Sequence, residues 1–462
     1  MPEHRDAGEL IEASRHLWQN YFPGRQPAKH PDVLVRGEGL YVYDANGNRY
    51  LDTFASLLTT LCGHGRPEVV KAVKDQMEKL SYFPGGQNFI VEPTVKLAKV
   101  LAEITPGDLS VTFFVNDGSE ACEAAIKMAR QYFWAKGEKT RRKIIFRRYS
   151  YHGATLGALS ATGLPAMREP FEPLLPGFTH VMPAQCYRCE LDLHPDSCGV
   201  ACLKNLEATV RWEGPDAVAA ILMDPIPGSN TGFPPPPDGY IEGVRELCDR
   251  YGILLIFDEV QVGFGRTGRM FCCENWGVTP DIMAVAKGFS GGYLPLGAAI
   301  ATDRIAEAFR ASDSGFRHVH TYSGHPVACA AALANLEIIR KEGLVRRAAG
   351  LGAYLKPKLE ALHKYPIVGD VRGIGTLWAV ELVANRQTRE PLSPPGRAGA
   401  FISNACLESG LILRNNGDIL VMAPALIMTD EQADEMTGTL DSAIAEAMKR
   451  CTADNGTLQW SE

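Results

Sequence analysis

Asp258 and Lys287 each stand where an apolar run stops. Ile253-Leu254-Leu255-Ile256-Phe257 leads into Asp258-Glu259, and Asp281-Ile282-Met283-Ala284-Val285-Ala286 delivers Lys287 into the glycine-rich Gly288-Phe289-Ser290-Gly291-Gly292. Uninterrupted apolar runs of this length read as strands buried on both faces of a parallel sheet. Ligands of such sheets collect at the carboxyl ends of the strands, which is where both side chains fall. A lysine between an apolar strand and a glycine loop is poorly solvated, and desolvation turns it toward a nucleophilic amine. An aspartate and a lysine at adjacent strand ends suit pyridoxal phosphate. The lysine forms a Schiff base, and the carboxylate keeps the pyridine nitrogen protonated so that the ring withdraws electrons. Singly, each residue has a blander reading as a loop cap or half of an ion pair, so the accompanying groups decide.

A phosphate needs a cradle, and one is written upstream. Residues 111–115 read as a short buried strand, Asn116-Asp117-Gly118-Ser119-Glu120 as a turn, and 121–136 as an amphipathic helix. A helix N-terminus offers free N–H groups and a favourable dipole to an anion. Gly118 permits close approach and Ser119 can donate its hydroxyl, although an ordinary N-cap by Asp117 or Ser119 would look the same. Gly263-Phe264-Gly265-Arg266-Thr267-Gly268 has the spacing of a dinucleotide fingerprint. It leads into a stretch without helical period, and the dinucleotide reading is rejected.

The run from Asp258 through Gly268, with Pro280-Asp281-Ile282 and Ala286-Lys287-Gly288, resembles the motifs of class III aminotransferases. These are pyridoxal-phosphate enzymes of fold type I, among them ω-amino acid:pyruvate transaminases. Pieces of the pattern run from about residue 37 to about 429, including Gly63-His64-Gly65-Arg66-Pro67. The resemblance implies that Gly118 and Ser119 bind phosphate, that Tyr151 stacks on one face of the ring, and that Val260 covers the other. It implies Gln261 at the ring hydroxyl; His152 is read as a structural histidine, with a catalytic base as the alternative. It places Thr321 at the phosphate of a neighbouring subunit's cofactor, so that each site needs two chains. Arg414 matches an arginine that clamps the acceptor's carboxylate, a task suited to a two-pronged guanidinium; a surface salt bridge is its alternative. Leu58 stands where many ω-amine transaminases carry a pocket-narrowing tryptophan, and Asp224 and Pro227 depart from the glutamate and glutamine usual there. The first forty residues, with Trp18, Tyr21, Phe22 and Pro23, resemble an N-terminal arm packed on a partner.

The rest of the chain must position these groups. Residues 39–52 alternate about an Asn46-Gly47 turn and read as a hairpin. Helical period marks 68–80, 93–104, Tyr240–Tyr251 and 327–341. Strands are expected at 143–148, Val218–Met223 and 297–301, and an alternating strand through Glu381 after Val371-Arg372-Gly373-Ile374-Gly375. The fold class is therefore α/β, with a large domain around a mostly parallel sheet and a small α+β domain drawn from both termini. The expected division is residues 1–60 for the arm and part of the small domain, 61–330 for the large domain and 331–462 for the rest.

Among 462 residues, 45% are hydrophobic and 22% charged, enough for a sizeable core. Net charge is −7 with no strongly basic block, which argues against nucleic acid as a partner. No apolar leader core and no run of about 18 apolar residues appears, so no membrane partner is expected and the compartment is read as the cytosol. Twelve cysteines in so long a chain are no disulfide framework. Cys186-x2-Cys189 and Cys198-x3-Cys202, with His194 between, match zinc spacing only loosely, and no metal is expected. The expected reaction transfers an amino group from an ω-amino acid such as taurine or β-alanine, or from a simple amine, to a keto acid, with pyruvate foremost. A homodimer or a dimer of dimers is expected. An aminomutase or decarboxylase on the same scaffold, or an inactive scaffold protein, are the alternatives.

Overall fold

The apolar runs that end in Asp258 and Lys287 become neighbouring strands in the middle of a seven-stranded sheet. The computed structural model describes residues 7–18, 20, 33–86, 88–312, 315–454 and 456–461. Tyr21, Phe22 and Pro23 of the expected arm lie outside them; Trp18 is 92% exposed. Across the sheet the order is Leu109–Val115, Gly297–Thr302, Ile282–Val285, Leu254–Asp258, Val218–Met223, Lys143–Arg147 and Phe178–Val181. All neighbours run parallel except at Gly297–Thr302, which is antiparallel to both of its own. Asp258 pairs with Ala284, which sets Lys287 just past the same edge.

Alternate residues of the central strands enter two cores. Leu254 and Ile256 pack with Ala121, Ala125 and Ala129 of the helix Gly118–Ala135. Leu255 and Phe257 pack with Leu97, Leu101, Ala331 and Leu336 from the helices Glu92–Ile104 and Pro326–Lys341. Both faces are covered, which is why these strands read as continuous apolar runs. The stretch 263–268 is a series of turns leading to a short 3-10 helix, Cys272–Asn275, so no dinucleotide-type helix follows it.

A smaller four-stranded sheet joins distant parts of the chain: Leu34–Glu38, Tyr41–Asp44 and Arg49–Asp52 are completed by Leu411–Ile412, parallel to the third. The hairpin turn is held by Asp44 Oδ1, which accepts from the N–H groups of Asn46 and Asn48. A second four-stranded sheet holds Val368–Ile374, Leu377–Leu382, Ile419–Met422 and Arg414–Asn416. The strand expected through Glu381 is Leu377–Leu382, and every residue in it is buried. Trp378, Val380 and Leu382 face a third core, while on the other side Glu381 is neutralised by Arg188 at 2.7 Å and Arg372 at 2.8 Å. A sequence pattern cannot tell a buried, paired glutamate from a solvated one. Among the described residues no helix is long and apolar enough to cross a membrane.

Candidate active site

The carboxyl edge of the large sheet opens on a cavity of about 970 Å³. Gly118, Ser119, Tyr151, Asp258, Val260, Gln261 and Lys287 all line it, so residues spread over much of the chain meet in one place. Asp258 is 5% exposed and held on three sides. Its Oδ1 accepts from the Val260 N–H at 3.0 Å. Its Oδ2 accepts from His152 Nδ1 at 2.8 Å and from the Cys122 thiol at 3.5 Å. His152 is thereby fixed behind the carboxylate, in agreement with its reading as structural. Burial drives the Cys122 thiol well up, with Asp258 adding to the effect, so it stays protonated and donates.

Lys287 lies in the left-handed region at φ +49°, a conformation that costs a non-glycine residue energy and needs its surroundings to enforce it. What surface Lys287 exposes faces the cavity; otherwise the protein encloses it. Burial pulls its amine down to about 8, against the pull of Asp258 and with help from Arg414 and Arg266. Arg414 lines the adjoining cleft with Lys287, Tyr151 and Gln261. It lies over the Phe54 ring at 5.2 Å and donates from Nε to Asn416 Oδ1 at 3.1 Å. Gln261 Oε1 accepts from the Ser229 N–H at 3.1 Å.

At the other end of the cavity Asp117 caps the helix Gly118–Ala135, accepting from the Glu120 N–H at 2.9 Å. The capping reading and the phosphate reading are thus compatible, since they use different groups: Asp117 takes one N–H, while Gly118 and Ser119 face the cavity. A methyl on Gly118 would lie 2.9 Å from Val260 Cγ1, so this glycine lets Val260 stand against the helix start. Ser119 Oγ accepts from the Ala154 N–H at 3.2 Å.

Leu58 is corrected by the structure. It is 1% exposed and packs with Ile226, Phe233 and Val262, whereas Leu57 faces the cavity. The cause is local: Ala55, Ser56, Leu57 and Leu58 all have φ between +44° and +70°, a left-handed turn that rotates the side chains out of right-handed phase. Asp52 holds the turn, accepting from Phe54 N at 3.0 Å and from Ser56 N at 2.6 Å. No glycine announces it. Thr321 does not line the cavity of its own chain; it is exposed, with its carbonyl accepting from Tyr82 Oη. Asp224 pairs with the buried Arg147 at 2.6 Å and accepts from Gly228 N at 3.1 Å, shaping the turn that presents Ser229 to Gln261.

Two residues escaped the sequence reading. Glu259 turns away from the cavity and accepts from the N–H groups of Cys272 and Cys273, each at 2.8 Å; burial raises its carboxyl to about 7. Cys122 carried no signal beyond its place in an apolar helix face. Cys122, His152 and Asp258 form the one group of three metal-type ligand atoms within 4.8 Å among the described residues, and hydrogen bonding accounts for their closeness. Cys186, Cys189, Cys198 and Cys202 are unpaired and partly buried, and make no such group.

The donor set fits pyridoxal phosphate: helix N–H groups for the phosphate, an aromatic and a valine along the walls, a buried carboxylate, and a desolvated amine. The family model for aminotransferase class III matches residues 25–444. The chain belongs to the class III aminotransferases. A probable aminotransferase of Mycobacterium tuberculosis is 40% identical over 442 residues, covering 95% of this chain and 94% of its own. A putrescine–pyruvate aminotransferase of Pseudomonas aeruginosa is 37% identical, covering 87% and 88%. The solved structure of an (S)-enantioselective ω-transaminase from Thermomicrobium roseum superposes with a TM-score of 0.91 at 41% identity, covering 96% of this chain and 99% of its own. This class III aminotransferase is thus a pyridoxal-phosphate enzyme of fold type I.

Proposed function

We propose that this aminotransferase moves the amino group of an ω-amino acid or a simple amine to pyruvate, giving an aldehyde or ketone and alanine. The observation that carries the reading is the cleft shared by the Lys287 amine and the Arg414 guanidinium. It sets a cation for a small carboxylate beside the group that moves the proton, and the putrescine–pyruvate relative uses that acceptor by name. Pyridoxal phosphate, when bound, supplies an electron-withdrawing ring and the carbonyl through which nitrogen passes. Asp258, held by His152, Cys122 and the Val260 N–H, would be the partner of the pyridine nitrogen. Gly118 and Ser119 hold the phosphate, Tyr151 and Val260 form the walls, and Gln261 orients the ring hydroxyl. Lys287 Nζ would hold the cofactor at rest and, once the donor amine has displaced it, would serve as the base that takes the proton from the donor's nitrogen-bearing carbon and as the acid that gives it back in the 1,3-proton shift. Arg414 binds the acceptor's carboxylate through its fork. We also propose a cytosolic homodimer, in which Thr321 serves the partner's phosphate, and no bound metal.

The test is a panel of amines, among them taurine, β-alanine, putrescine and uncharged amines, scored by alanine formed from pyruvate. Alanine from at least one ω-amine supports the reading. A product formed by isomerisation or loss of carbon dioxide, without alanine, ends it.

A further inference from the structure

The outer face of the helix Gly118–Ala135 and the chain beyond it enclose a second cavity, of about 380 Å³, at which the proposed reaction has no role. Lys127, Arg130, Lys139, Arg142 and Arg317 line it together with Trp134, in a chain whose net charge is −7. Among the described residues none of the five cations forms an ion pair with a carboxylate. Among the described residues, Glu138 is engaged with Lys136 and Arg141, and Glu123 with the Thr155 hydroxyl and the Ala158 N–H. Neutral groups hold the cations instead. Arg130 Nε donates to the Arg142 carbonyl at 2.9 Å, and Arg142 Nε to the Lys139 carbonyl at 2.7 Å. Lys127 Nζ donates to the Arg317 carbonyl at 3.3 Å and lies 2.7 Å from His318 Nδ1. The crowding is felt: burial and then the Arg142 charge lower Arg130, and burial, Lys127 and His320 hold His318 down to about 4.

Trp134 is 49% exposed at this place, and Lys139 Nζ lies 5.6 Å from its ring centroid. Gathered positive charge and an open indole are each unfavourable alone. A ligand with several negative charges and a flat ring relieves both, because the ring can stack while the anion takes charge-assisted hydrogen bonds. The cavity is of the size small ligands occupy. We propose that it binds a nucleoside phosphate, its base against Trp134 and its phosphates among Arg130, Lys139 and Arg142.

Calorimetric titration of the holoenzyme with ATP, inorganic tripolyphosphate and adenosine tests this. ATP should bind at one site per chain, more weakly as salt rises. Adenosine and tripolyphosphate should each bind at least about tenfold more weakly than ATP. Trp134→Leu and the double change Arg130→Gln with Arg142→Gln should each weaken ATP by about tenfold or more and leave transamination unchanged. Lys139→Gln, on exposed chain, should weaken it by a smaller factor should the double variant fold poorly. Equal affinity for tripolyphosphate and ATP, or ATP binding untouched in these variants, overturns the proposal. So does a change of subunit state in the double variant, which would mean that the cations meet acids of a neighbouring copy.

Discussion

At Lys287 the protein holds an amine in a place where its charge is costly. Burial lowers it from the ordinary 10.5 to about 8. The unfolded chain therefore binds more protons than the folded one between about pH 8 and 10.5. The stability cost of this site is full below pH 8 and fades as pH rises through that window. In cofactor-free protein, Lys287→Met should therefore melt above the parent at pH 7, with the gap closing toward pH 10. A gap that does not change with pH would mean that the amine is solvated. Arg414 makes a separable prediction. An arginine–carboxylate hydrogen-bonded pair is worth roughly 1.5–3 kcal/mol, or about one to two powers of ten in binding. Arg414→Ala should raise KM for pyruvate at least about tenfold, and the half-reaction with an uncharged amine should change far less. Carboxylate and sulfonate donors should suffer as pyruvate does. Equal damage to every substrate would assign Arg414 to the fold instead.

At the scale of the element, the start of the helix Gly118–Ala135 is where helix propensity and site geometry oppose each other. Alanine is a better helix former than glycine by up to about 1 kcal/mol. A methyl at Gly118 would nevertheless stand 2.9 Å from the β-branched Val260, which has little freedom to turn aside. Gly118→Ala should therefore lower the melting temperature of the cofactor-free protein, because overpacking of roughly 1–3 kcal/mol outweighs the helix gain, and should weaken pyridoxal phosphate by about tenfold where Val260 is pushed into the cavity. Unaltered cofactor affinity in a spectral titration would show that Val260 can yield. The left-handed turn Ala55–Leu58 follows the same logic in reverse. Its strain is offset by Asp52 and by the packing of Leu58, and what it gains is Leu57 on the cavity wall.

At the scale of the molecule, the face around Thr321 is apolar and uncovered in a single chain. Phe89 and Ile90 are 58% and 84% exposed, and Val319 and Tyr322 58% or more. Ring contacts join Phe83 to Phe89 at 5.2 Å and Tyr82 to Tyr322 at 5.5 Å, so two aromatic pairs meet where Tyr82 adjoins Phe83. Exposed apolar surface of this kind marks an interface. The smallest active species in sedimentation at assay concentration should be a dimer. Thr321→Ala should leave the dimer intact and loosen the cofactor by about tenfold, the worth of one hydrogen bond to a charged group. An active monomer would remove the need for a second chain.

The sequence by itself determined many of the elements and the place of Asp258 and Lys287 at the ends of neighbouring strands. Strands buried on both faces are written as unbroken apolar runs, and their polar ends mark the edge where Asp258 and Lys287 emerge. The turn at Gly118 and Ser119 was legible only as a helix start, since an ordinary N-cap would look the same, and its phosphate reading came from the family resemblance. Tertiary structure decided the rest. That His152 and Cys122 lock Asp258 depends on strand order, since the parts of the chain that carry them meet only when the sheet forms. That Leu57 and not Leu58 faces the cavity depends on four positive φ angles that no glycine foretold. That Glu381 is buried between Arg372 of the paired strand and Arg188 of a distant segment is likewise invisible in the strand's own pattern. Local pattern records which residues must leave water, but which partner each of them meets is set by contacts between segments far apart in the chain.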